Sequence, residues 1–298
     1  MKRKRQRETK GDRIFNFVNN LIITFMVIIV LYPLIYVVSS SFSDPVAVMA
    51  GKVRLLPVDF SLMGYEAVFK SNQIWLGYGN TVFYTVCGTI INVIMTIMAA
   101  YPLSRKDLKG RNFIMFLFSF TMFFGGGMIP TYLLIKDLGM INTRWALLIP
   151  NAMGVWNVIL ARTFFQSNIP VELLEASQLD GCSNWTFIVK IVLPLSKAII
   201  AVITLYYAVG HWNAYFNALL YLKDAKLYPL QIILRNILIQ NQVDNSMMMD
   251  IEELELRQYL NALLKYSLIV VASVPVLVAY PFVQKYFVKG VMIGSIKG

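Results

Sequence analysis

Apolar residues run through this chain in stretches too long for soluble helices and too unbroken for strands. Six stretches lack Asp, Glu, Lys and Arg: Leu21 to Val38, Thr81 to Leu103, Phe113 to Ile135, Trp145 to Ala161, Ala198 to Leu222 and Ser267 to Val283. Each is close to the ~20 residues a helix needs to cross a hydrocarbon core about 30 Å thick. The pattern predicts an all-α polytopic membrane protein of six transmembrane helices, with a basic N-terminal segment (1–20), a transmembrane domain (21–283) and a short tail (284–298). The first stretch follows a basic run, Met1 to Arg7, as a signal peptide would. It exceeds the roughly 7–15 apolar residues of a signal sequence and reads as a retained helix. Pro33, Pro130 and Pro275 lie inside stretches, where neighbouring helices and Ser/Thr side chains can satisfy the carbonyls they free.

Composition agrees with this reading: 57% of the 298 residues are hydrophobic and 14% charged, too little polar surface for a soluble domain of this size. The charge is lopsided, 27 Lys and Arg against 16 Asp and Glu. Such an excess suits nucleic acid, so its location decides its meaning. With a cytoplasmic N-terminus, six crossings place 17 of the 27 basic residues but only 6 of the 16 acids on the inner side. The run Arg105 to Arg111 is the densest inner loop. The excess therefore reports orientation, and no nucleic-acid partner is expected.

The spans contain no Asp, Glu, Lys or Arg to carry a coupling ion, and His211 is their one ionisable imidazole, read as a packed or polar-lining ring. There is no phosphate-binding loop of the form G-x-x-x-x-G-K-[ST]. One histidine and two cysteines, Cys87 and Cys182, supply neither a zinc site nor a Cys/His dyad. No catalytic or metal-ligating residue is expected. The chain is either a passive channel or a subunit that takes its energy from a partner.

The loop from Arg162 to Lys197 carries the most pattern. Pro170 suits the first position of a helix, Glu172 and Glu175 suit its positive end, and Leu173, Leu174, Ala176 and Leu179 give it an apolar side. Gly181 suits the residue that stops it, Ser183 suits the cap of a second helix from Asn184 to about Val192, and Pro194 forces a bend into the fifth span. This predicts a stiff helix, turn, helix projection suited to a partner's groove.

Glu175-Ala-Ser-Gln-Leu-Asp-Gly181, nine residues, then Ile191-Val-Leu-Pro194 resembles the EAA loop of bacterial ABC-importer permeases. Its pattern is E-A-A, three residues, G, nine residues, I-x-L-P; Ser177 for the second alanine is the one departure. The tail Gln284 to Gly298 and the segment Trp212-Asn-Ala-Tyr-Phe-Asn217 resemble the maltose-type, MalG-like carbohydrate branch, closest to permeases for complex polysaccharides or oligosaccharides. The resemblance implies a type I importer (MetI-like) permease fold with a transmembrane core at about 77–283 and a coupling loop at 168–194. It implies that Glu172, Glu175, Ala176, Ser177, Asp180, Gly181, Ile191, Leu193 and Pro194 form the contact with an ATPase. It implies as partners a second homologous permease, two ATPase subunits, an extracellular sugar-binding protein and membrane lipid. This chain would bind no cofactor; ATP and Mg²⁺ would sit on the ATPase. The alternative reading is a self-contained sugar facilitator.

Sugar recognition combines aromatic faces with amides and hydroxyls. The candidate pathway residues are Trp212, Asn213, Tyr215, Phe216 and Asn217 in the fifth span, with Trp156 and Asn157 in the fourth. Uninterrupted helix would put Trp212 with Phe216, and Asn213 with Asn217, on shared stripes. The outer loop Lys223 to Tyr266 has helical patterning at Leu230, Ile233, Leu234 and Ile237, an acidic stretch Asp250 to Arg257, and Met247 to Met249, which read either as an adaptable contact surface or as packing against the bundle. In the family that loop contacts the binding protein.

Overall fold

The computed structural model describes residues 9–243 and 251–291. The basic residues Lys2 to Arg7, the methionines Met247 to Met249, Asp250 and the last seven residues of the tail lie outside these. Among the described residues the regular structure is helical, apart from one bridge between Ser43 and Phe60. The chain forms two compact units, Met1–Ser71 with Ile237–Ala272, and Asn72–Asn236 with Ser273–Gly298.

In the first unit, α1 (Lys10–Ser41) begins with a capping box in which Thr9 and Asp12 satisfy each other's backbone N–H groups. Its apolar side chains are exposed as far as Leu34, as a lipid-facing helix requires; Ile35, Tyr36 and Val37 are half-buried, and Ser39, Ser40 and Ser41 are buried. Two short helices follow, α2 (Pro45–Met49), capped by Asp44, and α3 (Met63–Lys70). The turn between them packs on the end of α1: Ser39 Oγ donates to the Leu55 carbonyl (2.7 Å), and Phe42 meets Phe60 and Tyr65.

The second unit is built on α4 (Asn72–Ser104), which packs chiefly against α8 and α12. After it come α5 (Arg111–Phe123), α6 (Met128–Asp137), α7 (Trp145–Leu148), α8 (Val155–Asn168), α9 (Val171–Leu179) and α10 (Asn184–Phe187). A π-helical turn, Ile188–Val192, leads through α11 (Leu193–Leu195) to α12 (Lys197–Trp212) and α13 (Phe216–Tyr221). Beyond these, α14 (Leu230–Val243) and α15 (Ile251–Val291) each run from one unit into the other. The side chains of the acidic stretch at the start of α15 are outside the described set.

All six apolar stretches are helical, but only three are uninterrupted. The helices Lys10–Ser41 and Asn72–Ser104 and the section Leu264–Pro281 are each long and apolar enough to cross a membrane. The third stretch breaks between α5 and α6 with a 110° bend. Gly125, Gly126 and Gly127 supply the break, with Gly127 at φ 87°, ψ 173°, a conformation open essentially to glycine. Pro130 thus lies in the first turn of α6, where its missing N–H has no helical acceptor to lose, and not in mid-helix. The fourth stretch is split: α7 stops at Leu148, and Ile149 to Gly154, including Pro150, form turns before α8. The fifth breaks at Asn213 to Tyr215. There Asn213 turns its side-chain amide onto the Val209 carbonyl (3.0 Å) and ends α12. The shared stripes expected for Trp212 with Phe216, and Asn213 with Asn217, therefore do not form.

Candidate functional site

A polar stripe of α4 meets a polar stripe of α12. Asn80, Tyr84, Gly88, Asn92 and Thr96 recur every four residues on α4, and all are buried. At the middle of the stripe the absence of a side chain on Gly88 admits the His211 ring, which fills the space a Cβ would take. Close approach over a small residue is how membrane helices gain packing, since lipid gives them little hydrophobic reason to associate. The approach brings His211 Nε2 within 2.6 Å of Asn92 Oδ1. Asn92 donates its amide N–H to the Asn151 carbonyl, which fixes its oxygen toward His211. The Nε2 nitrogen therefore carries a proton and donates. One turn further, the Tyr207 hydroxyl pairs with Thr96 Oγ1 (2.6 Å) and accepts from the Gly154 N–H (3.0 Å). Asn151 and Gly154 belong to the break in the fourth stretch. The break is thus stapled at both ends by polar side chains of α4 and α12.

These contacts border a cavity of about 330 Å³ lined by Tyr84, Asn92, Tyr206, Tyr207, His211 and Asn217, with Gly154, Leu147 and Pro229 among its other walls. That volume is at the lower end of small-molecule sites, roughly 300–1,000 Å³. Its lining contains amide, phenol and imidazole groups and, among the described residues, no Lys or Arg. The segment above it is held by Asn80, which donates to the carbonyls of Lys226 (2.7 Å) and Tyr228 (3.1 Å), and by Tyr84, which donates to that of Leu227 (2.9 Å).

Of the seven pathway candidates, Asn217 lines the cavity. Trp212 is buried edge-on against Tyr78, with centroids 5.7 Å apart. Asn213 caps α12, and Tyr215 and Phe216 are exposed beside each other. Trp156 is 62% exposed, whereas Asn157 is buried with its amide oxygen unpaired. The apolar pattern does not single out Asn92 or Asn151, and it gives His211 only as a packed or polar-lining ring. The four-residue recurrence of polar and small residues in the second stretch was the available signal.

The second feature is the loop 168–194. Pro170 precedes α9 as its N-cap and is not its first helical residue. α9 ends as a Schellman motif: Gly181, at φ 70°, donates to the Gln178 carbonyl (3.1 Å) and Cys182 to the Ser177 carbonyl (2.9 Å). Leu174 and Ser177 face inward, and Ser177 bonds back to the Leu174 carbonyl (2.7 Å). A hydroxyl thus fits the small inward position. Glu172, Glu175, Ala176 and Asp180 are exposed, and Leu179 is 90% exposed. Ser183 caps α10 through the Thr186 N–H (3.2 Å). The second helix was expected to be α-helical to about Val192, but it widens into a π turn from Ile188. Pro194 offers no N–H and its ring crowds the carbonyl four residues back, so the preceding turn opens and Leu193 bonds to Ile188, five residues back. Ile191 and Leu193 are partly buried there, Pro194 is exposed, and the chain bends by 84° into α12. A recess of about 660 Å³ lies against α9, lined by Glu175, Gln178, Arg105, Asp107 and Arg111 among others. The Arg105 guanidinium donates to Asp107 and holds its carboxyl below the usual carboxylate range. Among the described residues no group of three His, Cys, Asp or Glu side chains is placed to hold a metal.

Apolar helices long enough to cross a membrane, a cavity carrying a few polar groups between them and an exposed helix-turn-helix suit the membrane subunit of a transporter. The chain belongs to the family of binding-protein-dependent transport system inner membrane components, whose profile matches residues 92–293. It is 42% identical over 288 residues, 96% of this chain and 99% of the relative, to the polygalacturonan/rhamnogalacturonan transport system permease protein YtcP of Bacillus subtilis (strain 168). It is 39% identical to protein LplC of the same organism over 97% of both chains. A crystal structure of a bacterial ABC transporter involved in the import of the acidic polysaccharide alginate contains a chain that matches with TM-score 0.85 and 36% identity, covering 95% of this chain and 100% of that one. The protein is therefore a permease subunit of an ABC importer with the type I fold. It is not an enzyme, since ATP hydrolysis belongs to a separate subunit of such systems, and it works with a partner permease, an ATPase and a binding protein.

Proposed function

We propose that this permease carries fragments of an acidic, uronate-rich polysaccharide across the bacterial cytoplasmic membrane, with both termini on the cytoplasmic side. The observation that carries the carbohydrate reading is the cavity bordered by Asn92, Tyr206, Tyr207, His211 and Asn217, whose amides, phenols and imidazole suit sugar hydroxyls and ring faces. The relatives named for polygalacturonan/rhamnogalacturonan and for alginate support an acidic glycan. With no Lys or Arg among the described residues of the cavity lining, this subunit reads hydroxyls, and the carboxylates are met by the partner permease or the extracellular binding protein.

In this reading a second homologous permease completes the pathway, and two ATPase subunits bind ATP and Mg²⁺. Glu172, Glu175, Ala176, Ser177, Asp180 and Gly181 form the arm that enters the ATPase, with Ile191, Leu193 and Pro194 at its hinge, and the outer loop 223–266 receives the binding protein. The test is uptake by the whole assembly in proteoliposomes of a labelled trigalacturonate beside a neutral arabino-oligosaccharide. ATP-dependent uptake of the trigalacturonate that the neutral sugar does not compete away is expected. Uptake of the neutral sugar alone would overturn the acidic assignment.

A further inference from the structure

The basic run that reads as a topological signal has a second role at its first residue. The Arg105 side chain is only 16% exposed. Its Nε and Nη2 donate to the two carboxylate oxygens of Asp107 (2.9 and 2.5 Å), and its Nη1 donates to Asn184 Oδ1 (2.7 Å). Arg105 directly follows α4, and Asn184 is the first residue of α10, just past the Gly181 turn. The same end of α4 is held by Arg162 of α8, which donates to the Leu103 carbonyl (2.9 Å). It is held also by Tyr101, whose ring meets those of Phe165 and Phe187.

We propose that Arg105 is a positioning residue of the coupling machinery: it joins α4 directly to the second arm of the loop, so that displacement of the loop draws α4 with it. Two routes lead from the loop toward the cavity. The route through α12 passes a π turn and an 84° bend, two joints able to absorb movement. The route through Asn184 and Arg105 enters α4 at its end, where Pro102 lies in the last turn, and from there the helix runs without a break back to Asn72. Asn92 lies thirteen residues along it, about 20 Å at helical rise. Arginine suits the joint because a planar fork can hold Asp107 with two donors and still present a third to Asn184, which lysine cannot do in one geometry. The inference rests on the loop being the ATPase contact.

The experiment uses the complete transporter in proteoliposomes, with Ala214→Cys at the cavity wall as reporter and Cys87→Ser and Cys182→Ser removing the native thiols. A membrane-impermeant maleimide reads the labelling rate with and without vanadate trapping of the ATPase, independently of the sugar carried. Arg105→Ala and Arg105→Lys are each expected to reduce the trapping-dependent change at least about threefold, with assembly and basal ATP hydrolysis within about twofold of the parent. Asn184→Ala is expected to match them, the double Ala variant to be no worse than either single one, and Asn184→Asp to retain the change only when Arg105 is present. Unaltered switching in Arg105→Ala, or additive losses in the double variant, would overturn the proposal. If Arg105→Ala does not assemble, Asn184→Ala decides alone. Intact switching in Gly181→Pro would sink the ATPase-contact assignment instead.

Discussion

A methyl group on Gly88 would overlap the His211 ring, so Gly88→Ala must displace the ring and break its bond to Asn92. Hydrogen bonds between membrane helices are worth about 0.6–2 kcal/mol each, too little to prevent folding but enough to move a cavity wall. The expected result is near-normal membrane abundance with import reduced at least about tenfold, and Asn92→Ala should do the same; full import in both would remove this pair from the pathway. Gly181 is a different case, because a Cβ there meets nothing and only the left-handed backbone resists substitution. Placing a side chain in that conformation costs roughly 1–2 kcal/mol, less for asparagine. The coupling ratio, substrate imported per ATP hydrolysed, should therefore fall in the order Gly181→Asn, then Ala, then Pro. The Asp107 carboxyl, held low by Arg105, gives a pH prediction with a definite sign. A depressed carboxylate contributes above its unfolded value near 4 and loses its contribution only as pH falls through the lower folded value. Coupling should be flat in this respect from about pH 5.5 to 8, and Asp107→Asn should lower it throughout that range.

At the level of elements, the breaks matter more than the helices. Gly127 sits in a region of backbone space that costs other residues roughly 1–3 kcal/mol, so Gly127→Ala should destabilise the bend between α5 and α6 and lower the thermal midpoint of the purified assembly by a few degrees. An unchanged midpoint would show that the bend is set by packing. The caps of the loop helices were legible locally: Ser183 and Gly181 behave as their residue types dictate, because a cap is a bond between near neighbours. The breaks at Gly154 and Asn213 were not legible, because apolar length alone does not distinguish a straight span from two half-spans joined by polar backbone. Asn151 and Gly154 can leave the helix where Asn92 and Tyr207 supply partners for their backbone groups. Those partners lie about 50–60 residues away in sequence.

For the whole molecule, a permease whose spans contain no coupling ion site must take its energy from elsewhere. Reconstituted alone, this chain should show no sugar flux above that of empty liposomes, and flux should appear only with the partner permease, the ATPase and the binding protein. The sequence by itself determined the class of protein, the six apolar stretches, the charge asymmetry and the turn chemistry of the loop. Each of these depends on composition or on residues a few positions apart. The tertiary structure alone decided that Trp212 packs against Tyr78 and does not line the cavity, that His211 meets Asn92 over Gly88, and that Arg105 reaches Asn184. Those contacts join residues 79 to 134 positions apart. In a membrane, where apolar faces have no preferred neighbour, only the close approach of specific helices selects which polar groups meet.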